Sequence, residues 1–174
     1  MSLKSPPPLS PADMPSIAPE IAADKIDPPD ELVKNLRRFL LEAAPILDKA
    51  QRVELYSLDP DDELEKSAND FHGWRVLGKT QLNDAKTRSR VTAAIDEGLI
   101  NNDSIAMCFF PRHGIRATHN GKTVDLVICF ECQQMHVRIA DQAWAVLIFA
   151  SPQPILDQVL RDADIPLAPK PGEA

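Results

Sequence analysis

Apolar residues at helical spacing open the patterned part of the chain. Leu32, Val33, Leu36, Phe39, Leu40, Ala43 and Leu47 fall on neighbouring turns of a helix. Asp27-Pro28-Pro29-Asp30 reads as its start, with Asp27 as cap and Pro28 in the first turn, where a missing N–H costs nothing. Pro45 should kink or end the helix, because its ring meets the carbonyl four residues back. The period then changes to two. Arg52 to Leu58 alternates as a strand, Asp59 to Asp70 reads as an acidic loop, and Gly73 to Leu82 alternates again. In that last stretch Trp74, Val76, Thr80 and Leu82 are expected on one face, and Arg75, Leu77, Lys79 and Gln81 on the other.

A second helix follows, with Asn83 as its expected cap, Gly98 as its stop, and Val91, Ala94 and Ile95 as its buried side. Ile105 to Phe149 is rich in strand formers. Asn120-Gly121 is a strong hairpin signal, since a type I′ turn needs positive φ at both central residues. "VDLVICFECQQMHVRI" then runs on to a turn near Asp141, followed by "WAVLIFA". Ser151-Pro152 should start a last helix with Ile155, Leu156, Val159 and Leu160 on one face. Helices bracketing hairpin-connected strands predict an α+β fold, an antiparallel meander-type sheet packed against about three helices.

Composition adds the ends. Residues 1–29 hold eight of the 16 prolines, and proline favours extended, solvated backbone. The expectation is a disordered Pro-rich tail over 1–26, one domain over 27–167, and a short C-terminal tail over 168–174. The net charge of -7 argues against nucleic acid as a partner. The charge comes in blocks: seven acids lie between Glu54 and Asp70, and five bases between Arg75 and Arg90. The simplest reading is two solvated faces that attract each other. No apolar run is long enough to span a bilayer, and no apolar stretch follows Lys4 as a secretory signal would need. Three cysteines do not suggest a disulfide-stapled secreted domain. The expected setting is cytoplasmic.

"GWRVLGKT", from Gly73 to Thr80, satisfies the phosphate-binding-loop pattern as a string. Its context does not. Such a loop leaves a buried strand and enters a helix at its Lys-Thr. Here "SANDFH" precedes it, and the helix signal begins only after Asn83. Trp74, Arg75, Val76 and Leu77 favour extended backbone, so the stretch is expected to be a strand. His72 is expected in a loop.

The candidate chemistry gathers in "CFFPRHGIRATHNGKTVDLVICFEC". A two-residue turn at Asn120-Gly121 would pair Thr118 with Thr123, Arg116 with Asp125, Arg112 with Cys129, and Phe109 with Cys132. The Arg116–Asp125 match would be a cross-strand ion pair. Pro111 could shift the register beyond it. Cys108, His113, Cys129 and Cys132 are zinc-type donors, but residues three apart in one strand point to opposite faces, so no metal site is assigned. A reactive thiol at Cys108, Cys129 or Cys132 would need His113, Arg112 or Arg116 nearby to lower its pKa. A Cys108–Cys132 redox pair is a further variant. The plain alternative is packing of the cysteines among Phe109, Phe110, Ile128 and Phe130.

"FHGWRVLGKT", this cysteine-rich segment and the later "SPQP" together resemble a group of uncharacterised bacterial proteins with Cys-Phe-x-Pro-Arg-His-Gly and Ile-Cys-Phe-Glu-Cys motifs. The resemblance covers roughly Val53 to Pro166. It implies one domain holding both stretches and supplies no activity and no catalytic residue. The working expectation is a binding or interaction module without cofactor. Its partner would be a small molecule or a protein, and its small anionic-ligand site would use Arg112, His113, Arg116, Glu131 and Lys79. The alternative is a cysteine- or histidine-dependent enzyme, or a thiol-redox protein, using Cys108, His113, Cys129 and Cys132.

Overall fold

The computed structural model describes residues 29–63, 70–101 and 106–170. The expected N-terminal tail and the Asp27-Pro28 start lie outside these residues. The first helix runs as α1 (Pro29–Arg38), a π-helical turn (Phe39–Ala43) and α2 (Ala44–Asp48). Pro45 neither ends nor breaks this run. The preceding turn widens instead, with the Ala44 N–H bonding the Phe39 carbonyl five residues back, a π-type turn that accommodates the proline within the helical run.

The strands are β1 (Arg52–Glu63), β2 (Asp70–Phe71), β3 (Trp74–Gln81), β4 (Leu99–Ile100), β5 (His113–His119), β6 (Lys122–Cys129), β7 (Gln134–Ile139) and β8 (Gln142–Ile148). They form one antiparallel sheet in the order β2-β3-β1-β5-β6-β7-β8-β4. Two more helices complete the fold: α3 (Ala85–Gly98) after β3, and α4 (Gln153–Asp162) after β8. The fold is therefore α+β with an antiparallel sheet covered by three helical segments, as the sequence implied. None of the described helices is long and apolar enough to cross a membrane.

The helices pack on one face of the sheet. Val53 and Leu55 of β1, Ile115 and Ala117 of β5, and Val124, Leu126 and Ile128 of β6 meet Phe39, Leu47, Ile95, Leu156 and Leu160 there, all buried. Strand alternation assigns these residues to one side. The expected inner side of α3 is observed, since Val91, Ala94 and Ile95 are buried.

Four local expectations change. The acidic stretch after Leu58 is not all loop, because β1 continues to Glu63; residues 64–69 lie outside the described set. The cap of α3 is Asp84 rather than Asn83, and its carboxylate accepts the Thr87 N–H at 2.8 Å. This bond holds the Asp84 carboxyl below its ordinary value. "VDLVICFECQQMHVRI" divides into β6 and β7 around a turn over residues 130–133, where Gln133 takes φ 53°. Finally, β3 carries a bulge. Gly78 pairs with Ser57 but Val76 with Leu58, so Leu77 is the extra residue. That shift puts Trp74 and Val76 on the same side as Lys79, not opposite it.

Candidate functional site

Every strand that gives the helices its apolar residues turns the alternate ones to the other face. On that open face the register sets Glu54 opposite Arg116, Arg116 opposite Asp125, and Asp125 opposite Arg138. The result is a row of alternating charge crossing β1, β5, β6 and β7. The Arg116–Asp125 pair expected from the hairpin turn is present and bidentate, at 2.8 and 2.7 Å. Asn120 and Gly121 both have positive φ there, as a type I′ turn requires.

The hairpin of β2 and β3 folds back over this face. His72 and Gly73 form its tip, with φ of 56° and 90°, the same turn chemistry as Asn120-Gly121. Phe71 stacks on Tyr56 with ring centroids 4.3 Å apart. It reaches the sheet because Gly114 leaves room: a Cβ at that position would sit 2.7 Å from the Phe71 ring. His72 extends further and donates from Nε2 to Asp125 Oδ2 at 2.7 Å. Asp125 is thus shared between the sheet and the overhanging hairpin.

Beneath the overhang lies a cleft of about 940 Å³. Tyr56, Phe71 and His72 line it, together with the cations Lys79, Arg116 and Arg138. That volume suits a small molecule. Lys79 reaches Glu54 Oε1 at 3.0 Å and lies 5.3 Å from the Tyr56 ring centre. Burial alone would raise the Glu54 carboxyl, but the hydrogen bonds from Lys79 and Arg52 outweigh it and hold the group below its ordinary value. Asp125 follows the same logic: burial opposes ionisation, while Arg116 and His72 favour it, and the carboxyl stays low. Burial raises the Tyr56 phenol, and Glu54 adds to the shift. Burial pushes His136, next to Arg138 but one along β7, down to about 4, and the Arg138 charge assists.

Arg138 differs from its neighbours. Asp125 faces it across the sheet but is committed to Arg116 and His72. Among the described residues Arg138 makes no ion pair, and its buried Nε lacks a hydrogen-bond partner.

The residues expected to form one site divide into three groups. Lys79 and Arg116 line the cleft. Arg112 and His113 do not. His113 is on the helix side of β5, 2% exposed, with Nε2 at 2.7 Å from Asp157 Oδ1 of α4. Arg112 meets Glu131 at 3.2 Å and donates to the carbonyls of Ala168 and Pro169. Arg112, His113 and Asp157 line a smaller cavity of about 220 Å³ beside α4 and the C-terminal segment, and Glu131 lies outside its lining. The hairpin register holds as far as His113–Ile128 and stops there. Arg112 therefore does not pair with Cys129, nor Phe109 with Cys132. The Arg112 N–H bonds the Ile128 carbonyl, and the Phe110 N–H turns to the Cys129 sulfur at 3.3 Å.

The three cysteines form the third group, at the β6–β7 turn. Cys129 and Cys132 are not in one strand, so the opposite-faces argument no longer applies to them. The Cys132 N–H bonds Cys129 Sγ at 3.2 Å, and the Cys108 thiol lies 2.6 Å from Cys132 Sγ. Among the described residues no three His, Cys, Asp or Glu side chains are arranged to hold a metal ion. The Cys108 thiol is raised by its bond to Cys132 and by burial, and that of Cys132 chiefly by burial. His113 bonds an aspartate and not a thiol. A thiolate poised for nucleophilic attack needs the reverse of these conditions.

Sequence reasoning missed His72, Tyr56 and Arg138 as cleft residues. The signal for His72 was present: His-Gly between Phe71 and Trp74 is a two-residue turn with aromatic flanks. Arg138 required the β6–β7 register, which the unsplit reading of that segment hid. Comparison with protein-family models, with curated proteins and with solved structures finds no match to this chain.

Proposed function

We propose that this chain is a binding module that takes a small anionic molecule in the cleft between the open sheet face and the β2–β3 hairpin. The observation that carries the reading is Arg138, a cleft-lining guanidinium without a carboxylate partner among the described residues. Its fork suits a phosphate or carboxylate, which would supply the missing acceptor pair. Lys79 and Arg116 add positive potential, but each is already balanced by Glu54 or Asp125. They would orient an anion more than attract it. Phe71 and Tyr56 are stacked on each other and buried, so they shape the cleft and hold the hairpin in place over it.

Calorimetric titration of the full chain with pyrophosphate and with phenyl phosphate, at low ionic strength, tests this. Saturable binding of at least one of the two probes is expected. Arg138→Ala should weaken it by about tenfold or more, the scale of one charged hydrogen bond, and should leave thermal stability nearly unchanged. Failure of both probes to bind, or equal binding by Arg138→Ala, would overturn the reading.

A further inference from the structure

The cysteine cluster lies outside the cleft lining and serves no part of that binding reading. We propose that Cys108 and Cys132 form a reversible disulfide by exchange with a small-molecule disulfide. Their sulfurs are in direct contact, 2.6 Å apart, so the two side chains already point at each other as a disulfide requires. The two positions are unequal in access. Cys108 is exposed, and Cys132 is 1% exposed.

The segment carrying Cys108 has no regular secondary structure, yet it is held in place on both sides of the thiol. The Gln134 side-chain amide donates to the Ala106 carbonyl and, at 3.5 Å, to that of Cys108. Phe109 stacks on His136 with ring centres 3.8 Å apart. The Phe110 N–H is bound by the Cys129 sulfur. All three anchors come from β6 and β7, the strands that flank the turn holding Cys132. Cys129 is a supporting residue here: it is fully buried, and its sulfur accepts the N–H groups of Phe110 and Cys132.

The exchange runs in two steps. The exposed Cys108 thiol loses its proton, and its sulfur attacks one sulfur of the incoming disulfide. That S–S bond breaks, a first small thiol leaves carrying a proton, and Cys108 is left as a mixed disulfide. Cys132 then loses its proton and attacks Cys108 Sγ. The mixed S–S bond breaks, the second small thiol leaves with a proton, and Cys108–Cys132 is closed. The two cysteines give up two electrons and two protons, and the small disulfide takes them as two thiols. Both thiols being raised, the exchange should be slow at neutral pH and quicken as pH rises, which suits a redox-responsive bond rather than a catalytic nucleophile. Closure would tie the Ala106–Phe110 segment, and Phe109 with it, to the β6–β7 turn.

The test treats the wild-type chain with glutathione disulfide, quenches it, alkylates free thiols with N-ethylmaleimide under denaturing conditions, and maps the peptides by mass spectrometry. Cleavage after Glu131 separates Cys129 from Cys132. A Cys108–Cys132 cross-link that dithiothreitol reverses, with Cys129 alkylated, is the expected result. A Cys129–Cys132 link, or Cys108 recovered as a lasting glutathione adduct with Cys132 alkylated, would overturn the proposal. Cys132→Ser should trap the Cys108 adduct, while Cys129→Ala, which removes the acceptor of the Phe110 and Cys132 N–H groups, should slow closure without moving the cross-link to another pair. The wild-type map decides the matter by itself if either variant fails to fold.

Discussion

The two faces of the sheet are made from alternate residues of the same strands, yet they solve opposite problems. On the helix side, Ile115, Leu126 and Ile128 are fully buried among other apolar side chains, and their contribution is area removed from water. On the open side, Glu54, Arg116, Asp125 and Arg138 stand in a row, and their order is electrostatic. The first face tolerates a change of hydrophobic shape if volume is kept. The second tolerates little at Arg116 and Asp125, which hold each other's charge, while Arg138 stands outside that pairing. The cleft follows from that difference: among the described residues no helix covers this face, and a short hairpin, held by one histidine and one phenylalanine, roofs it beside the Phe109 segment that stacks on His136.

The largest way to break the comparison is to open a hole in the covered face. Leu126→Ala, at a fully buried position of a central strand, should cost about 2–5 kcal/mol in urea unfolding. A loss below about 1 kcal/mol would mean that this face is not the main source of stability. A smaller effect is expected from Asp125→Ala, which removes the acceptor of both Arg116 and His72. About 1–3 kcal/mol is expected, since Arg116 is partly exposed and water can replace part of its bond. Amide exchange of the β2–β3 hairpin should quicken in this variant more than that of β7 and β8. Equal change throughout would show that His72 does not hold the roof.

The smallest and most diagnostic effect is in pH. Burial, with Asp48 nearby, raises Asp96 on α3 to about 6 from an ordinary 3.8. The native state therefore keeps a proton that the unfolded chain has released, and stability from this group falls as pH rises from about 3.8 through 6. His136 on the open face acts in reverse. Held near 4 against an ordinary 6.5, it loses stability for the protein as pH falls through that interval. Asp96→Asn should thus raise the melting temperature at pH 7, with the gain shrinking toward pH 4. His136→Gln should flatten the acid limb instead. Identical pH profiles for the two variants would remove the contrast.

What could be read beforehand follows the same division. The helix face was legible because burial imposes a period, and Asn120-Gly121 fixed the β5–β6 register to the residue. The open face was legible only where that turn reached it, at Arg116 and Asp125. Further along, the governing features were a bulge at Leu77 and a turn over residues 130–133 without glycine. Gln133 takes positive φ there, a conformation its residue type does not advertise. The bulge turned Lys79 to the side of Trp74, and the turn brought Cys132 out of the strand. The placement of His113 against Asp157 depends on how α4 docks, a long-range contact that no local pattern encodes.

The row of alternating charge also has a consequence for how the chain finds its pairing. Sliding β6 by one residue against its neighbours would drive Asp125 into the apolar layer and expel Leu126. Sliding it by two would keep the faces but put Thr123 or Val127 opposite Arg116, leaving that cation without its acid. Glu54, Arg116, Asp125 and Arg138 thus act as an address shared by four strands. Only one alignment lets every strand read its neighbour's charge as opposite to its own.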